Sequence, residues 1–533
     1  PAYLVFVHIL LASFLAQVAL GNTLGAHQVL VVYDSRVGDS VLVAEHYAGS
    51  AKVPGGAGGE PGVRPGVQVF DLASAGVPVT ATNGTIMYPD YLAQIRDPIR
   101  AHLESNGLVY RVRSLALCKG LPHRIDDPDN PLVGDTPSAL GPLWISGRAI
   151  SSSVDSELVL LWQDLDEFQL DPFRTANGGY IRSPMWRRSR PINTWTNKNV
   201  KVQKEWDFVP SGNALTTVGT DTTRHLTPGD MMLVCRLDGH TVADVRAMVE
   251  RARNLVYDVD DSTFVLDESD SNGVADPDPN SELDNVNDPV SRDDDYETTR
   301  DVLLADGRFD PAKVRYDAER TVAHFSLGPN VDFLGQGLLI EDPLILLTHY
   351  GRNHIGRPSQ NIQMYEESFN YAPGAIFSTM ESYNGRAFNG LGTRYQQAQV
   401  ADFIMAGGTF GIGMVWEPFA QAVPDSNRIV RAFVLGRLTW AEAAYTAIPC
   451  ISWMHVVVGD PLARAIASSE DINGDGVLDI EDLYAFEQNP VDLNRDGVGD
   501  NVDREMLTNE IRVPDQQTFD AGRDLLSQTR QHD

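Results

Sequence analysis

Two acidic loops of equal length near the carboxyl end constrain this chain more than any other feature. The first spans 471–482 and the second 492–503, twelve residues each. Positions 1, 3, 5, 9 and 12 carry Asp or Asn, and glycine at position 6 allows a sharp turn. The oxygen-bearing residues are Asp471, Asn473, Asp475, Asp479 and Asp482 in the first loop, and Asp492, Asn494, Asp496, Asp500 and Asp503 in the second.

This pattern of oxygen donors predicts two calcium sites. Ca2+ takes roughly six to eight oxygen ligands, and the position 7 carbonyl, from Val477 or Val498, extends each set. Position 12 is Asp instead of the longer Glu, so we expect modest affinity, suited to the high calcium outside cells. The alternative is an acidic, solvated tail, and two full matches in tandem argue against it.

The charge balance bears on the partners that the chain can bind. Its 533 residues include 42 basic and 73 acidic side chains, for a formal net charge of −31. Such a surface repels nucleic acid and anionic membranes and favours cations, so we predict no nucleic-acid partner. An apolar fraction of 42% is enough for a large core. The length predicts about two or three domains.

The amino-terminal residues predict export. Residues 1–21 hold an apolar run that ends in small residues, with Ala19 and Gly21 where a signal peptidase would cut. A membrane anchor is the alternative. No later stretch is long and apolar enough to span a bilayer. We therefore expect a soluble protein, extracellular or at the cell surface, after signal removal.

Three cysteines are spread widely along the chain. Cys118, Cys235 and Cys450 form no paired motif, so neither a zinc site nor a disulfide framework is indicated. We expect buried thiols, and one disulfide remains the alternative.

Strand-like and helical patterns alternate over most of the remaining chain. Gln28–Tyr33 is a continuous apolar run, typical of a strand buried on both faces, and Asp39–Tyr47 has helical spacing. This alternation predicts an α/β fold with a doubly wound, mostly parallel sheet, followed by a small all-α calcium-loop module. The expected division is a signal peptide at 1–21, α/β segments at 22–257 and 298–464, an insert at 258–297, the module at 470–510 and a tail at 511–533.

Three stretches interrupt the alternation. Residues 258–297 are acidic and poor in apolar residues, which favours a disordered insert, with a third, degenerate calcium loop at 267–278 as the alternative. Residues 165–225 favour a long solvated loop, with a lid or rim as the alternative. A short hinge at Ala465–Ser469 is expected before the calcium module.

Polar residues that follow predicted strands supply the candidate site of the α/β part. Ligands of open parallel sheets bind outside the carboxyl ends of the strands. The candidates there are Asp34, Lys119, Asp238, His349, Ser382 and Glu417. We expect His349 as a base, Ser382 as a nucleophile, and Glu417 as a general acid or ligand contact. For each, a helix cap, an ion pair or a satisfied polar group is the alternative.

Six segments together resemble an uncharacterised family of exported bacterial α/β proteins. They are 29–48, 116–125, 152–161, 233–249, 411–424 and 438–464. The resemblance implies the fold and export, and it says nothing about function, because the family has no established activity. More distantly, LILLTHYG at 344–351 and the strand that follows are similar to caspase-like and gingipain-like cysteine peptidases. Glu381 and Ser382 stand where those enzymes need Cys, so a thiolate mechanism is not supported.

The paired loops resemble a dockerin, the duplicated calcium-loop domain that docks secreted enzymes onto cohesins. The resemblance implies Ca2+ as cofactor and a cohesin-like or cell-surface protein as partner. The loops start at 471 and 492, and this separation of 21 residues is shorter than usual in dockerins. Two functions remain open. One is an exported, non-catalytic protein that the module anchors or braces, and the other is a secreted hydrolase of polysaccharide or peptide.

Overall fold

The computed structural model contains the α/β fold that the sequence predicts. The predicted signal peptide, Glu417, most of the acidic insert and residues 512–533 of the tail lie outside the described residues. The described residues are 23–54, 59–126, 152–163, 180–199, 207–209, 216–217, 226–267, 296–317, 326–330, 338–349, 365–388, 398–416, 423–493 and 497–511.

The strands within the described residues are short. They are β1 Val29–Tyr33, β2 Gln68–Asp71, β3 Thr85–Met87, β4 Ser114–Cys118, β5 Arg124–Asp126, β6 Tyr180–Arg182, β7 Asp207–Val209, β8 Thr216–Thr217, β9 Leu233–Leu237, β10 Leu255–Tyr257, β11 Thr263–Asp267, β12 Val314–Asp317, β13 Ser326–Leu327, β14 Leu338–Leu339, β15 Leu344–His349, β16 Tyr371–Phe377, β17 Phe410–Met414, β18 Cys450–Ile451, β19 His455–Val458 and β20 Ala465–Ala467.

The helices alternate with these strands. They are α1 Gly38–Ala48, α2 Tyr88–Tyr91, α3 Asp97–Ser105, α4 Val154–Leu158, α5 Val242–Arg251, α6 Tyr296–Asp306, α7 Val400–Met405, α8 Ser426–Ile429, α9 Trp440–Ala447, α10 Ile480–Gln488 and α11 Asn501–Glu510. Thr241 and Thr439 cap α5 and α9 through their side chains. Among the described helices, none has the length and apolar character needed to cross a bilayer.

Ten of the described strands form one sheet, in the order β12-β11-β15-β16-β17-β19-β9-β4-β1-β2. Neighbouring strands are parallel except β17 and β19, which are antiparallel. The predicted mostly parallel sheet is therefore confirmed. It consists of two parallel halves, β2-β1-β4-β9-β19 and β12-β11-β15-β16-β17, that run in opposite directions.

The two halves have the same internal order. In each, the chain forms one strand, adds the second on one side, and then crosses to the other side for the remaining three. The second half lies in the sequence between β9 and β19, so it is inserted into the first. Each half has one point where the strand order reverses. These points lie between β1 and β4 and between β11 and β15, and ligands of such sheets bind at reversal points.

The sequence prediction places the start of the acidic insert at residue 258, and this boundary is wrong. Residues 258–267 belong to the fold, because Thr263–Asp267 is the fully buried strand β11, which lies between β12 and β15 in the second half. The apolar run of this strand, Phe264–Leu266, is short and has acidic residues on both sides, so its composition resembles that of the insert. Residues 268–295, with most of the calcium-like stretch 267–278, lie outside the described residues.

The predicted hinge at Ala465–Ser469 is also wrong in its first part. Ala465–Ala467 is β20, which is buried and pairs in parallel with β10. Strand pairing to the α/β part therefore continues almost to the first acidic loop. The cysteine prediction is confirmed, because Cys118, Cys235 and Cys450 are buried free thiols.

Candidate calcium loops and carboxyl-edge site

Backbone amides hold the first acidic loop in a closed turn. Asp482 Oδ1 accepts hydrogen bonds from Ile472 N at 2.8 Å and Asn473 N at 3.2 Å, and its Oδ2 accepts one from Asp479 N at 2.8 Å. Asp471 Oδ2 accepts from Gly476 N at 2.9 Å. Gly476 has φ +80°, in the left-handed region that favours glycine. The carboxylates at positions 1 and 12 therefore both accept hydrogen bonds from backbone amides of the loop.

The second loop repeats this frame. Asp503 Oδ1 accepts from Leu493 N and its Oδ2 from Asp500 N, both at 2.8 Å. Asp492 Oδ2 accepts from Gly497 N at 2.7 Å, and Gly497 has φ +97°. Asn494 and Asp496 lie outside the described residues. Equal sequence positions therefore make equal bonds in both loops.

Each loop ends as the cap of a helix. The position 9 carboxylates of Asp479 and Asp500 accept hydrogen bonds at the starts of α10 and α11, in capping boxes with Asp482 and Asp503. The two position 12 residues are fully buried. Their oxygens already accept amide hydrogens, but a carboxylate oxygen has a second lone pair for a cation.

The first loop has one feature that fits a bound cation. Asp471 Oδ1 is buried and has no hydrogen-bond partner among the described residues. A buried carboxylate oxygen without a partner is costly, and a cation would satisfy it. Carboxylates alone do not form a site, because no group of three or more His, Cys, Asp or Glu side chains in the described residues converges to hold a metal.

The helices that follow the loops share a small apolar cluster. Its buried members are Ile466, Leu478, Phe486, Leu493 and Leu507. Four belong to the loops and their helices, and Ile466 belongs to β20. The paired loops therefore pack on the β10–β20 pair of the α/β part.

At the second reversal point of the main sheet, Asp267 and His349 end the adjacent strands β11 and β15. They are register partners, so their side chains leave the same face of the sheet. Both are buried. Asp267 Oδ2 accepts from Ser326 N at 2.6 Å, and the His349 ring meets the edge of Tyr365, with centroids 4.7 Å apart. A titratable pair thus lies where ligands of such sheets bind.

The neighbouring strand β16 brings Glu381 and Ser382 to the same edge. Glu381 is buried, and its oxygens accept from Thr379 Oγ1 at 3.2 Å and Ala398 N at 3.3 Å. Ser382 follows it in a turn and is half-buried. Glu417 lies outside the described residues. Two of the three predicted catalytic residues, His349 and Ser382, therefore belong to one edge.

A further acidic side chain in this region is Glu366. It is buried, and neither carboxylate oxygen has a hydrogen bond that meets normal geometry within the described residues. Burial, followed by the charges of Asp402 and Glu381, raises the pKa of Glu366 well above its usual value. Asp402 itself lies 2.5 Å from His240 Nε2. Glu366 therefore takes up a proton more readily in the folded chain than a free glutamate does.

The first reversal point holds satisfied ion pairs. Asp34 accepts from the Arg36 guanidinium at 2.7 and 2.8 Å. Lys119 Nζ donates to two backbone carbonyls and lies 3.3 Å from Asp238, which also pairs with Arg236. The ion-pair alternative therefore holds for Asp34, Lys119 and Asp238.

Sequence reasoning missed Asp267, Tyr365 and Glu366. The sequence prediction places Asp267 in the acidic insert, and the apolar run Phe264–Leu266 before it is the signal that indicates a strand. The positions of Tyr365 and Glu366 depend on a segment between strands whose packing no local pattern predicts. No family model matches the chain, and a search of curated proteins finds no match either.

Proposed function

We propose that this chain is an exported protein whose paired acidic loops bind about two Ca2+ ions. The observation that carries the proposal is a hydrogen bond that both loops share. In each loop the amide at position 6 donates to the carboxylate at position 1, Gly476 N to Asp471 and Gly497 N to Asp492. Two chance acidic turns have no reason to make the same bonds. Asp471 Oδ1, which is buried and has no hydrogen-bond partner within the part of the chain that the structure describes, adds independent support.

The residues that would hold each ion occupy equal positions. In the first loop they are Asp471, Asn473, Asp475, Asp479 and Asp482 with the carbonyl of Val477, and in the second they are Asp492, Asn494, Asp496, Asp500 and Asp503 with the carbonyl of Val498. A bound Ca2+ supplies positive charge that relieves the repulsion among these carboxylates. Asp479 and Asp500 also cap α10 and α11, so two of the residues that would hold the ions begin the helices that follow the loops.

The module also presents apolar side chains that suit a protein partner. Val477, Ile480, Tyr484, Val498 and Val502 are each about half exposed or more, with Tyr484 at 61%. Exposed apolar side chains of this size are candidate contacts for a protein partner. We propose that the module anchors the protein to a cohesin-like or cell-surface partner, while the α/β part binds a ligand without turnover.

Calorimetric titration of the chain with Ca2+, after removal of metal with a chelator, tests the calcium proposal. We expect binding of about two ions per chain with modest affinity. Absence of any binding at millimolar calcium would reject it.

A secreted hydrolase of polysaccharide or peptide is the second candidate function. The register pairing of Asp267 with His349 at the reversal point favours it. A carboxylate beside His can orient the imidazole as a general base. Ser382 would act as nucleophile and Glu417 as acid or ligand contact. Turnover of a polymer by the wild type, lost on changing His349, would establish this candidate in place of a non-catalytic α/β part.

A further inference from the structure

A basic turn lies against α9 in a chain that is otherwise strongly acidic. Residues 180–199 contain five Lys or Arg side chains and no Asp or Glu, although the whole chain has a formal net charge of −31. Arg188 and Arg190 in this stretch are exposed, and neither forms an ion pair within the described residues. Two exposed arginines without acidic partners therefore give a local positive charge to a surface that is negative on average.

Hydrogen bonds to α9 hold both ends of this turn. Arg187 N donates to an α9 carbonyl oxygen at 2.9 Å, and Ile192 N donates to the carboxylate of Glu442 on α9 at 2.8 Å. Before the turn, β6 pairs with β18, the strand that follows α9. Arg187 has φ +63°, a left-handed conformation that reverses the chain sharply. The backbone that carries Arg188 and Arg190 is therefore held in place on both sides.

The turn combines its charge with an indole ring. The guanidinium carbon of Arg188 lies 5.4 Å from the centroid of the Trp195 ring. Trp195 is half-buried, and its carbonyl oxygen accepts from Arg113 Nη1 at 3.1 Å. Arg113 itself is buried, and the charges of Glu442 and Asp230 offset its own. The surface therefore presents a guanidinium group and an aromatic ring side by side, on a backbone that a buried side chain holds.

The loop before β4 extends this surface. Asn197 Nδ2 donates to Tyr110 O at 2.9 Å, which joins the loop to the segment that follows Trp195. Tyr110 is 66% exposed. Arg111 beside it is also exposed, and it has no ion pair in the part of the chain that the structure describes. A second aromatic side chain and a further unpaired arginine therefore belong to a loop in direct contact with the first.

This combination of groups fits an anionic polysaccharide. The planar guanidinium group of Arg binds the two oxygens of a carboxylate together. The faces of Trp and Tyr rings are apolar and suit the apolar faces of sugar rings. Trp, Tyr and Arg are also the residues that dominate binding surfaces. An acidic peptide would pair with the arginines but would leave the aromatic faces unused.

We propose that Arg188, Arg190 and Trp195, extended by Tyr110 and Arg111, form a binding surface for a uronate-containing polysaccharide. The sugar rings lie on the aromatic faces, and the sugar carboxylates accept hydrogen bonds from the guanidinium groups. This surface requires neither calcium nor turnover, so the proposal goes beyond the calcium loops and the candidate catalytic edge. It gives the α/β part a polymer ligand outside that edge.

Binding of hyaluronan, a soluble polysaccharide that contains uronate, to the whole chain tests the proposal. At about 0.15 M salt, attraction between distant charges is largely screened, so direct contacts dominate the measured affinity. We expect the wild type to bind hyaluronan and not dextran, which is neutral. A double variant with Arg188→Gln and Arg190→Gln should lose at least about tenfold in affinity, because two guanidinium groups that bind carboxylates are removed.

The control for this double variant removes the same charge elsewhere. Arg253→Gln with Arg315→Gln changes two exposed arginines, one after α5 and one on β12. We expect this control to bind hyaluronan as the wild type does. A loss of equal size in the control would show that only the net charge of the chain matters, and it would overturn the proposed surface.

Trp195→Leu separates a polysaccharide from an acidic peptide. The change removes the aromatic face and keeps a large apolar side chain. It should weaken hyaluronan binding by about fivefold or more, as truncation of an interface aromatic residue does, and it should leave any binding of polyglutamate unchanged. Trp195→Phe keeps a ring and should bind hyaluronan nearly as well as the wild type. Thermal unfolding shows whether each variant is folded.

The remaining outcomes also decide the matter. Failure of the wild type to bind hyaluronan would overturn the proposal, and so would wild-type affinity in the Arg188 and Arg190 double variant. Polyglutamate that binds as tightly as hyaluronan, with no effect of Trp195→Leu on either polymer, would assign the surface to an acidic peptide instead. If Trp195→Leu does not fold, the arginine variant and its control still decide. Calcium binding is measured separately by titration and does not depend on any of these results.

Discussion

Asp267 and His349 lie opposite each other where β11 and β15 end, on the same face of the sheet and both buried. The position is the reversal point of the second half of the sheet. The other reversal point is filled by Lys119 and Asp238, which are satisfied by carbonyls and by Arg236. The first reversal point is therefore occupied by ion pairs, and we propose the Asp267–His349 edge as the ligand site of the α/β part.

His349 supplies the first prediction. If the chain is a hydrolase, His349→Asn should reduce turnover of its polymer by about 100-fold or more, because general-base catalysis contributes on that scale. Assays on polysaccharide and peptide substrates measure this. His102→Asn, at a partly exposed position on α3, is the control and should leave turnover unchanged. A wild type with no turnover on any polymer supports the non-catalytic function instead.

Glu366 predicts a pH dependence of stability. Its folded pKa is raised well above the usual 4.5, so the folded state holds a proton that the unfolded state releases. Stability is therefore lost as pH rises from about 4.5 toward the folded value. Glu366→Gln should remove this loss and raise Tm more at pH 8 than at pH 4.

Thermal unfolding across that pH range measures the effect. Glu104→Gln, which changes an exposed acid on α3, is the control and should alter Tm little at either pH. A Glu366→Gln variant whose Tm gain is the same at both pH values would contradict the account.

Tyr484 predicts the docking face of the module. Tyr484→Asp should weaken calcium-dependent binding to a cohesin-like or cell-surface partner by at least about tenfold, because exposed aromatic residues dominate such interfaces. Tyr110→Asp is a matched control, since Tyr110 is exposed at 66% in the α/β part. Binding to immobilised cohesins, with calcium and with chelator, measures this. Equal losses in both variants would contradict a specific face.

The sequence predicts local features of this fold well and long-range features poorly. Val29–Tyr33 and the cap Thr241 follow from apolar runs and capping chemistry that act within a few residues. β11 was missed because its apolar run is short and flanked by acids. β20 was missed because Ala465–Ala467 is too short for any periodicity. Both strands exist through pairing with distant strands, which overrides local composition.

The same contrast between local and long-range features applies to the candidate sites. The calcium ligands are close in sequence, so spacing alone is enough to propose them. The Asp267–His349 pair joins residues 82 positions apart, 267 to 349, through strand register. The order of strands in a sheet cannot be read from either segment alone. The sequence therefore predicts His349 as a site residue but does not place Asp267 beside it.

The stoichiometry of calcium binding in loop variants tests the central claim most directly. Asp475→Ala and Asp496→Ala each remove the position 5 ligand of one loop. A control variant with Asp260→Ala and Asp261→Ala removes the same charge from an exposed turn of the α/β part. Calorimetry should give about two ions for the wild type and the control, one for each single variant and none for the double variant. Retention of strong calcium binding by the double variant would contradict the account, since the cation would then lie elsewhere in the chain.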